Sequence, residues 1–164
     1  MPVQTSIALT INAPIARVFE IAAGMDPRAL IRNHGLLPGI IETLGHDAPW
    51  SAVGQKRRHV LSDKSSISEM LTAFNLNTTF AYDLTDFTGV FAALVRDARA
   101  EWHFTKLGQA KTQIDWTYFF QSTNAIAEPL LWFIVKLLWP GYLRAALVRV
   151  KEKAELDSHE NREL

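Results

Sequence analysis

The segment that most constrains the fold is an aromatic-rich stretch followed by a long apolar one. Between Lys111 and Phe120 every second residue is mostly large and apolar, which is the repeat of a strand that lines a sheltered interior. From Glu128 to Leu156 the apolar residues recur at helical spacing. With the strands that precede it, this stretch predicts a curved sheet gripping one C-terminal helix around a small-molecule pocket.

The length and composition favour one domain of balanced charge. The chain has 164 residues, with 17 basic and 17 acidic side chains and no cysteine. We predict a single domain over residues 1–157 and a frayed, charged tail over 158–164. The absence of cysteine excludes a disulfide framework and thiolate chemistry, and it fits a reducing compartment, so the cytoplasm is the expected location.

The terminal segments do not suggest export or membrane insertion. Met1–Ile11 has no basic region followed by a continuous apolar run, and it is predicted to be a strand rather than a secretory signal. The most apolar run, Pro129–Trp139, contains Lys136 and stops at Pro140. It is shorter than the roughly 20 residues that a bilayer requires, so no transmembrane segment is predicted.

Alternation and turn signals predict the order strand, two helices, six strands, helix. The predicted strands cover Gln4–Ile11, Ile40–Leu44, Gly54–Leu61, Ser66–Phe74, Thr78–Thr85, Asp97–Leu107 and Lys111–Gln121. Short links between them make neighbouring strands antiparallel. The longer, apolar link Phe87–Arg96 is expected to contain a helical turn. Pro140-Gly141 predicts a kink or break of the last helix near Trp139.

A series of local patterns, none specific by itself, runs through nearly the whole chain. They are Ile11-Asn12-Ala13-Pro14 with Val18-Phe19, Leu37-Pro38-Gly39-Ile40, Val53-Gly54 with Arg57, Ile67-Ser68-Glu69, Tyr82, Trp102-His103-Phe104, Thr112 to Trp116, and Leu147 to Glu155. In this order they resemble the START-like superfamily, also called helix-grip or SRPBCC, and within it bacterial polyketide cyclase/dehydrase and lipid-transport-like proteins.

The resemblance implies an α+β helix-grip fold: a seven-stranded curved antiparallel sheet wrapped around a long C-terminal helix, with an apolar cavity between them. The superfamily includes lipid carriers, hormone receptors, cyclases, hydroxylase domains and chaperone activators, so the fold does not settle function. A Rieske cluster would need cysteines, which excludes the hydroxylase branch. The bulky Trp132, Trp139 and Tyr142 around Pro140-Gly141 depart from a plain carrier, and they could either fill the cavity or form its gate.

Three polar residues on adjacent strands are weak candidates for catalysis. Arg57 and His59 share one strand face, and Glu69 lies on the next strand. If these faces point inward, they place a cation, a base and an acid among apolar walls, an arrangement suited to proton transfer at an enolisable ketone. If they point outward, the same residues are an ordinary solvated surface.

Aromatic side chains supply the candidates for ligand binding. The predicted ligand-binding residues are Tyr82, Trp102, Trp116, Tyr118, Phe120, Trp132 and Trp139, and the predicted cavity rim is Phe87, Phe91 and His34. Rings with a polar tip suit a pocket that holds a greasy ligand and orients one polar group. Core packing explains Trp116 equally well, and a solvated loop explains His34. Glu101 and His103 are expected to face solvent, because Trp102 occupies the opposite face.

Several function classes find no support. The histidines lack the close spacing of a metal site, no glycine-rich phosphate loop is present, and no metal or cofactor is expected. The basic run Lys56-Arg57-Arg58-His59 alternates between two strand faces, so nucleic-acid binding is not predicted.

The leading hypothesis is binding of a hydrophobic or aromatic small molecule, lipid- or polyketide-like, between sheet and C-terminal helix. The first alternative is an enzyme of the cyclase/dehydrase type that uses Glu69, Arg57 or Tyr118. The second is a protein or membrane-surface interaction module built on the Phe87–Val95 segment and the Trp139 region. The sequence leaves open whether the chain is a monomer or a homodimer.

Overall fold

A computed structural model describes the backbone of residues 1–160 and the side chains of residues 1–156. The strands are β1 (Val3–Ile11), β2 (Ile40–Gly45), β3 (Lys56–Leu61), β4 (Ser66–Asn75), β5 (Thr79–Thr85), β6 (Val95–Gly108) and β7 (Lys111–Ser122). The helices are α1 (Ile15–Gly24), α2 (Pro27–Leu30), α3 (Val90–Leu94), α4 (Glu128–Phe133) and α5 (Trp139–Glu160), with a π-helical turn, Ile134–Leu138, before α5. The predicted element order is confirmed, including the helical turn before β6.

The seven strands form one antiparallel sheet in the order β1-β7-β6-β5-β4-β3-β2. The first and last strands in sequence are therefore neighbours, with Val3 opposite Phe120 and Ile11 opposite Thr112. Register shifts within β2, β4 and β6 are β-bulges or irregularities, and bulges bend a sheet and increase its twist. The curved α+β helix-grip fold predicted from the sequence is confirmed.

The inner face of the sheet packs on α5. On β7 the buried residues are every second one: Thr112, Ile114, Trp116, Tyr118 and Phe120. On α5 a stripe at helical spacing is fully buried, and it comprises Leu143, Ala146, Leu147, Val150 and Ala154. Each leucine in this stripe contributes about 2 kcal/mol of burial free energy, so packing holds the helix in the sheet.

Helices α1 and α2 close one end of the fold. Phe19 of α1 makes edge contacts with the rings of Phe74, Phe80 and Phe104, whose centroids lie 4.9 to 5.8 Å away. Asp26 caps α2 by accepting a hydrogen bond from the backbone N–H of Arg28. Hydrogen bonds from Arg28 hold the pKa of Asp26 below its ordinary value.

The C-terminal helix is irregular but continuous near Pro140. The predicted kink or break takes the form of the π-helical turn that ends just before Trp139. Proline removes one backbone hydrogen bond and crowds the carbonyl one turn earlier, and π turns are a common site of helix bending. A Cβ at Gly141 would lie 2.9 Å from Nε2 of His34, so a larger residue there would require the exposed His34 ring to shift.

Helix α5 extends into the predicted tail, because its backbone is helical through Glu160. The frayed tail stays a prediction. Residues 161–164, the rest of that predicted tail, lie outside the described residues.

By length and composition alone, the helical stretch Glu128–Leu156 could cross a membrane, with a mean hydropathy of 1.4. A core helix of a soluble domain meets the same criterion, so one such helix is weak evidence. The absence of a transmembrane segment stays a prediction. Within residues 1–156 no group of three His, Asp or Glu side chains is arranged to hold a metal.

Candidate functional site

A cavity of about 110 Å³, here called the chamber, lies between the sheet and the helices. Its wall includes Trp50, Tyr82, Trp102, Tyr118, Phe120 and Trp139. An apolar cavity of about 150 Å³ holds benzene in another protein, so the chamber is on the scale of one ring. A multi-ring compound does not fit in the chamber alone.

A second cavity of about 400 Å³, here called the vestibule, adjoins the chamber. Its wall includes Leu36, Val90, Phe91, Leu130, Phe133 and Leu138. The residues that line both cavities are Leu61, Ile67, Phe87, Trp139 and Tyr142. The bulky Trp139 and Tyr142 therefore stand between two spaces, as a gate would, and they do not fill the fold solidly.

The chamber contains a buried histidine–carboxylate pair. Nε2 of His59 lies 3.0 Å from Oε2 of Glu69, and the side chains are 2% and 11% exposed. Nδ1 of His59 lies 3.0 Å from the hydroxyl oxygen of Thr43. The tautomer with hydrogen on Nε2 satisfies both contacts, because it donates to Glu69 and accepts from Thr43. The side chains of His59 on β3 and Glu69 on β4 therefore point inward, which is the first of the two orientations considered from the sequence.

Arg57 also faces inward, but protein atoms already hold its guanidinium. The group lies 3.7 Å above the ring of Trp50, and it donates to the carbonyl oxygens of His46 (3.1 Å) and Ala48 (2.8 Å). Burial lowers the pKa of Arg57, and the charge of Glu69 opposes that shift. Arg57 thus anchors the loop between β2 and β3, which forms one end of the chamber.

Two tyrosines and a tryptophan form a hydrogen-bonded group on β5, β6 and β7. The hydroxyl oxygens of Tyr82 and Tyr118 lie 3.3 Å apart, and the indole N–H of Trp102 donates to Tyr82 at 3.3 Å. The indole N–H of Trp116 is buried without a hydrogen-bond partner among the described residues. Burial raises the pKa of both tyrosines, and the charge of Glu69 raises it further.

The structure brings most of the predicted ligand-binding residues together. Five of them line the chamber: Tyr82, Trp102, Tyr118, Phe120 and Trp139. Trp116 does not, because it is fully buried behind the wall, with its ring 4.1 Å from Trp102 and 5.5 Å from Tyr118. Of the two readings of Trp116, core packing is the one observed.

The assignment of Trp132 to ligand binding is wrong in position. Leu131 and Val135 are the buried residues of this part of the helix, and Trp132 follows Leu131 by one residue. One step turns a helix by about 100°, which carries Trp132 to the outside, where it is 52% exposed. It lines neither the chamber nor the vestibule.

Two of the three predicted rim residues line a cavity. Phe87 lines both cavities, and Phe91 lines the vestibule with its ring 5.8 Å from Trp139. His34 lines neither cavity, because its ring packs on Gly141. As predicted, the outer face of β6 carries Glu101 and His103, and Glu101 pairs with both His103 and Arg99.

Sequence reasoning missed Thr43 and the vestibule. Thr43 faces His59 across the β2–β3 register, which no local pattern fixes. The vestibule combines residues of the Leu36–Pro38 loop, α3, α4 and the π turn, far apart in the chain. The long apolar link Phe87–Arg96 was the one signal that pointed to it.

The tyrosines supply a test of burial at the site. The protein has three, Tyr82, Tyr118 and Tyr142; all are buried, and burial raises the pKa of each. A folded-state pKa above the ordinary value of about 10 gives stability that is complete below pH 10 and falls as pH rises above it. Tyrosinate absorbance of the native protein should therefore stay absent near pH 10, whereas the urea-unfolded chain should titrate there.

The control for this titration is folding itself, followed by circular dichroism on the same samples. A tyrosine that ionises near pH 10 while the protein is still folded would contradict the burial of at least one of these hydroxyls.

The fold resembles solved structures of low sequence identity. A Streptomyces aromatase/cyclase called Zhui superposes with a TM-score of 0.64 at 19% identity, covering 93% of this chain and 95% of that chain. A point mutant of Thalictrum flavum norcoclaurine synthase gives 0.68 at 12% identity, covering 96% and 98%. A Thermus thermophilus protein gives 0.68 at 16% identity, covering 94% and 99%. At these identities the likeness shows the fold alone.

Comparison of the sequence with protein families shows the family of the chain, which the solved structures do not. No curated protein matches the chain. The profile of the family described as "Polyketide cyclase / dehydrase and lipid transport" matches residues 2–155, which is nearly the whole chain. With the helix-grip fold, this match shows that the protein belongs to the polyketide cyclase/dehydrase and lipid-transport family of the START-like superfamily.

Proposed function

We propose that the protein binds a hydrophobic small molecule, with a ring in the chamber and an apolar remainder in the vestibule. This proposal rests on one observation: the two cavities are neighbours and share five lining residues. Small-molecule sites are mostly apolar spaces with a few polar groups, commonly about 300 to 1,000 Å³ in volume. The vestibule of about 400 Å³ is in that range, while the chamber supplies the polar groups.

The mouth of the vestibule suits an apolar guest. Leu36, Val90, Leu130 and Phe133 line it and are all exposed large apolar residues. A guest that covers them removes apolar surface from water, which is favourable by about 25 cal/mol per Å². A ligand with an apolar chain thus gains affinity at the mouth, and a ligand with only one ring does not.

The same exposed residues are what favours the alternative of an interaction module. The large apolar residues of the Phe87–Val95 segment are not exposed as a unit, because Leu94 and Val95 are buried, Phe87 and Phe91 are half-buried, and only Val90 is exposed. The exposed apolar surface lies instead mainly on α4 and the π turn, where Leu130, Trp132, Phe133 and Leu137 face outward. Entry and exit of a ligand would explain why the apolar residues at the mouth of the vestibule are exposed. We therefore retain small-molecule binding as the principal function.

A charge placed at the vestibule should weaken binding. Phe133 and Trp132 are adjacent aromatic residues with similar exposure, 48% and 52%, but only Phe133 lines the vestibule. We expect Phe133→Glu to weaken binding of an apolar fluorescent probe about tenfold or more, because the variant removes about 2 kcal/mol of apolar contact and introduces a charge. Fluorescence titration measures the dissociation constant directly.

Trp132→Glu is the matched control, and it should leave the dissociation constant within about twofold of the wild-type value. Native mass spectrometry of freshly purified protein would show whether a bound compound accompanies the chain. Failure of every apolar probe to bind, or equal weakening by the two variants, would count against the proposed site.

A second candidate function is catalysis of the cyclase/dehydrase type. The specific observation in its favour is the buried His59–Glu69 pair on the chamber wall, where an acid–base group can reach a bound ring. The structurally similar aromatase/cyclase and norcoclaurine synthase are enzymes by name, which adds support at the level of the fold. Conversion of the bound compound would distinguish an enzyme from a carrier.

A further inference from the structure

Glu69 lines the chamber and carries one carboxylate oxygen that no protein group of residues 1–156 uses. Oε2 of Glu69 is paired with His59, and both ring nitrogens of His59 are occupied. Oε1 of Glu69 has no hydrogen-bond partner among the side chains and backbone atoms of residues 1–156. Because Glu69 lines the chamber, this oxygen can accept a hydrogen bond from a guest.

Tyr82 and Tyr118, which also line the chamber, leave one hydroxyl hydrogen unused. Tyr82 and Tyr118 share one hydrogen bond, so only one of their two O–H hydrogens is used, whichever group donates. The N–H of Trp102 occupies an acceptor position on Tyr82 and uses no hydroxyl hydrogen. In the part of the chain with described side chains, the second O–H hydrogen finds no acceptor.

The charges around the chamber balance one another, which suits a neutral guest. The ionisable groups of its wall, apart from tyrosines, are Arg57, His59 and Glu69. Arg57 is stacked on Trp50 and donates to two carbonyl oxygens, and it forms no ion pair with Glu69 among the described residues. The charge of Glu69 reaches both Tyr82 and Tyr118. The guanidinium of Arg57 lies opposite Glu69 and offsets the charge of this carboxylate, so an anion would meet no uncompensated cation on the wall.

We propose that the chamber recognises a neutral hydroxyl group on a single aromatic ring, that is, a phenol. The hydroxyl donates to Oε1 of Glu69 and accepts from the free O–H of the Tyr82–Tyr118 pair. The ring lies against the aromatic wall, and any apolar substituent extends into the vestibule. This assignment rests on the proposed binding function and names the head group that the site selects.

The size of the chamber supports one ring rather than several. At about 110 Å³ the space is close to that of a cavity known to hold benzene. An aliphatic hydroxyl would satisfy the same two hydrogen bonds, but it would lose the ring contacts that Trp102, Tyr118 and Trp139 offer. A phenol uses both features of the site.

Three fluorinated single-ring probes test the assignment at pH 7: 4-fluorophenol, 4-fluorotoluene and 4-fluorobenzoate, followed by fluorine NMR. We expect 4-fluorophenol to bind the wild-type protein about tenfold more tightly than 4-fluorotoluene, and 4-fluorobenzoate to bind most weakly. Glu69→Gln and Tyr118→Phe should each reduce the preference for the phenol about five- to tenfold, with 4-fluorotoluene binding unchanged.

Glu101→Gln is the matched control, because it makes the same chemical change on the outer face of β6 and should alter no affinity. Thermal melting of each variant establishes that it is folded, and Tyr118→Phe keeps the test informative if Glu69→Gln is unstable.

The outcomes separate this inference from the proposed function. Tight binding of 4-fluorotoluene without any preference for the phenol would overturn the assignment and leave small-molecule binding in place. A phenol preference that survives in both chamber variants would also overturn it. If none of the three rings binds, the inference fails, and titration of an apolar fluorescent probe with Phe133→Glu and Trp132→Glu decides the proposed function separately.

Discussion

Replacing Trp116 by alanine is expected to lower the free energy of unfolding by about 4 kcal/mol. The side chain is fully buried, and its ring centroid lies 4.1 Å from that of Trp102. Its strand position places it between Ile7 of β1 and Trp102 of β6, so the ring joins both neighbours of β7. Truncation leaves a cavity that the surrounding sheet cannot close. Unfolding in guanidinium chloride, followed by circular dichroism, measures the change.

Trp132→Ala is the control for this measurement. It removes the same side chain from an exposed position on α4, and its effect should be within about 0.5 kcal/mol. Equal destabilisation by the two substitutions would contradict the placement of Trp116 in the core and of Trp132 on the surface. The comparison also separates aromatic rings that hold the fold together from those that a ligand could touch.

The general fold could be predicted from the sequence because its two principal elements carry strong local patterns. The alternating residues of β7 bury one face of a strand, and the spaced residues Leu143, Leu147, Val150 and Ala154 bury one stripe of α5. A period of two or of 3.6 residues fixes which side chains share a face without reference to the rest of the chain. The order of elements then leaves few ways to pair the strands.

Two residues that were predicted to bind ligand do not line the cavity. In each case the position of the side chain depends on the rotation of a helix or on how deeply a ring is buried. Trp132 was assigned to the cavity because it lies in an apolar run, but Leu131 is the residue that faces inward. In a run that is apolar on all sides, the composition does not show which stripe is buried. Trp116 faces inward as its strand pattern requires, yet Trp102 and Tyr118 cover it, and the sequence has no signal for depth.

The orientation of Glu69 was undecided for a related reason. Its strand has weak alternation, and a shift of one residue would turn the carboxylate outward. The observed register places Glu69 opposite Arg57 and lets it reach His59. A mixture of polar and apolar residues on β4 is compatible with either face, so tertiary pairing had to settle the choice.

The His59–Glu69 pair illustrates the conflict between stability and function in the chamber. A buried charged or polar pair adds little net stability compared with apolar residues of similar size, because both groups lose hydration. The tyrosine group in the same space adds further polar atoms away from water. Such a cluster in an otherwise apolar core is expected where a protein must recognise a polar group, and it should be replaceable when recognition is not needed.

A double-mutant cycle of His59 and Glu69 should measure the coupling energy of the pair. His59→Leu leaves the Glu69 carboxylate buried without its partner, and it should lower the free energy of unfolding by about 3 kcal/mol. Glu69→Leu should lower it by about 2 kcal/mol, because the N–H of His59 loses its acceptor. In the double variant neither unpaired group remains, so its loss should be smaller than the sum by about 2 kcal/mol or more.

The protein contains a matched exposed pair for this cycle. His103 and Glu101 are the same residue types on the outer face of β6, with Nε2 3.5 Å from Oε2 and much greater exposure. Their coupling energy should be below about 1 kcal/mol, the usual limit for surface pairs. Urea unfolding of both cycles, combined with binding of 4-fluorotoluene and 4-fluorophenol to the His59/Glu69 double variant, completes the test. A stable double variant that binds both probes equally well would identify the pair as a recognition element, whereas equal coupling in the two cycles would contradict its burial.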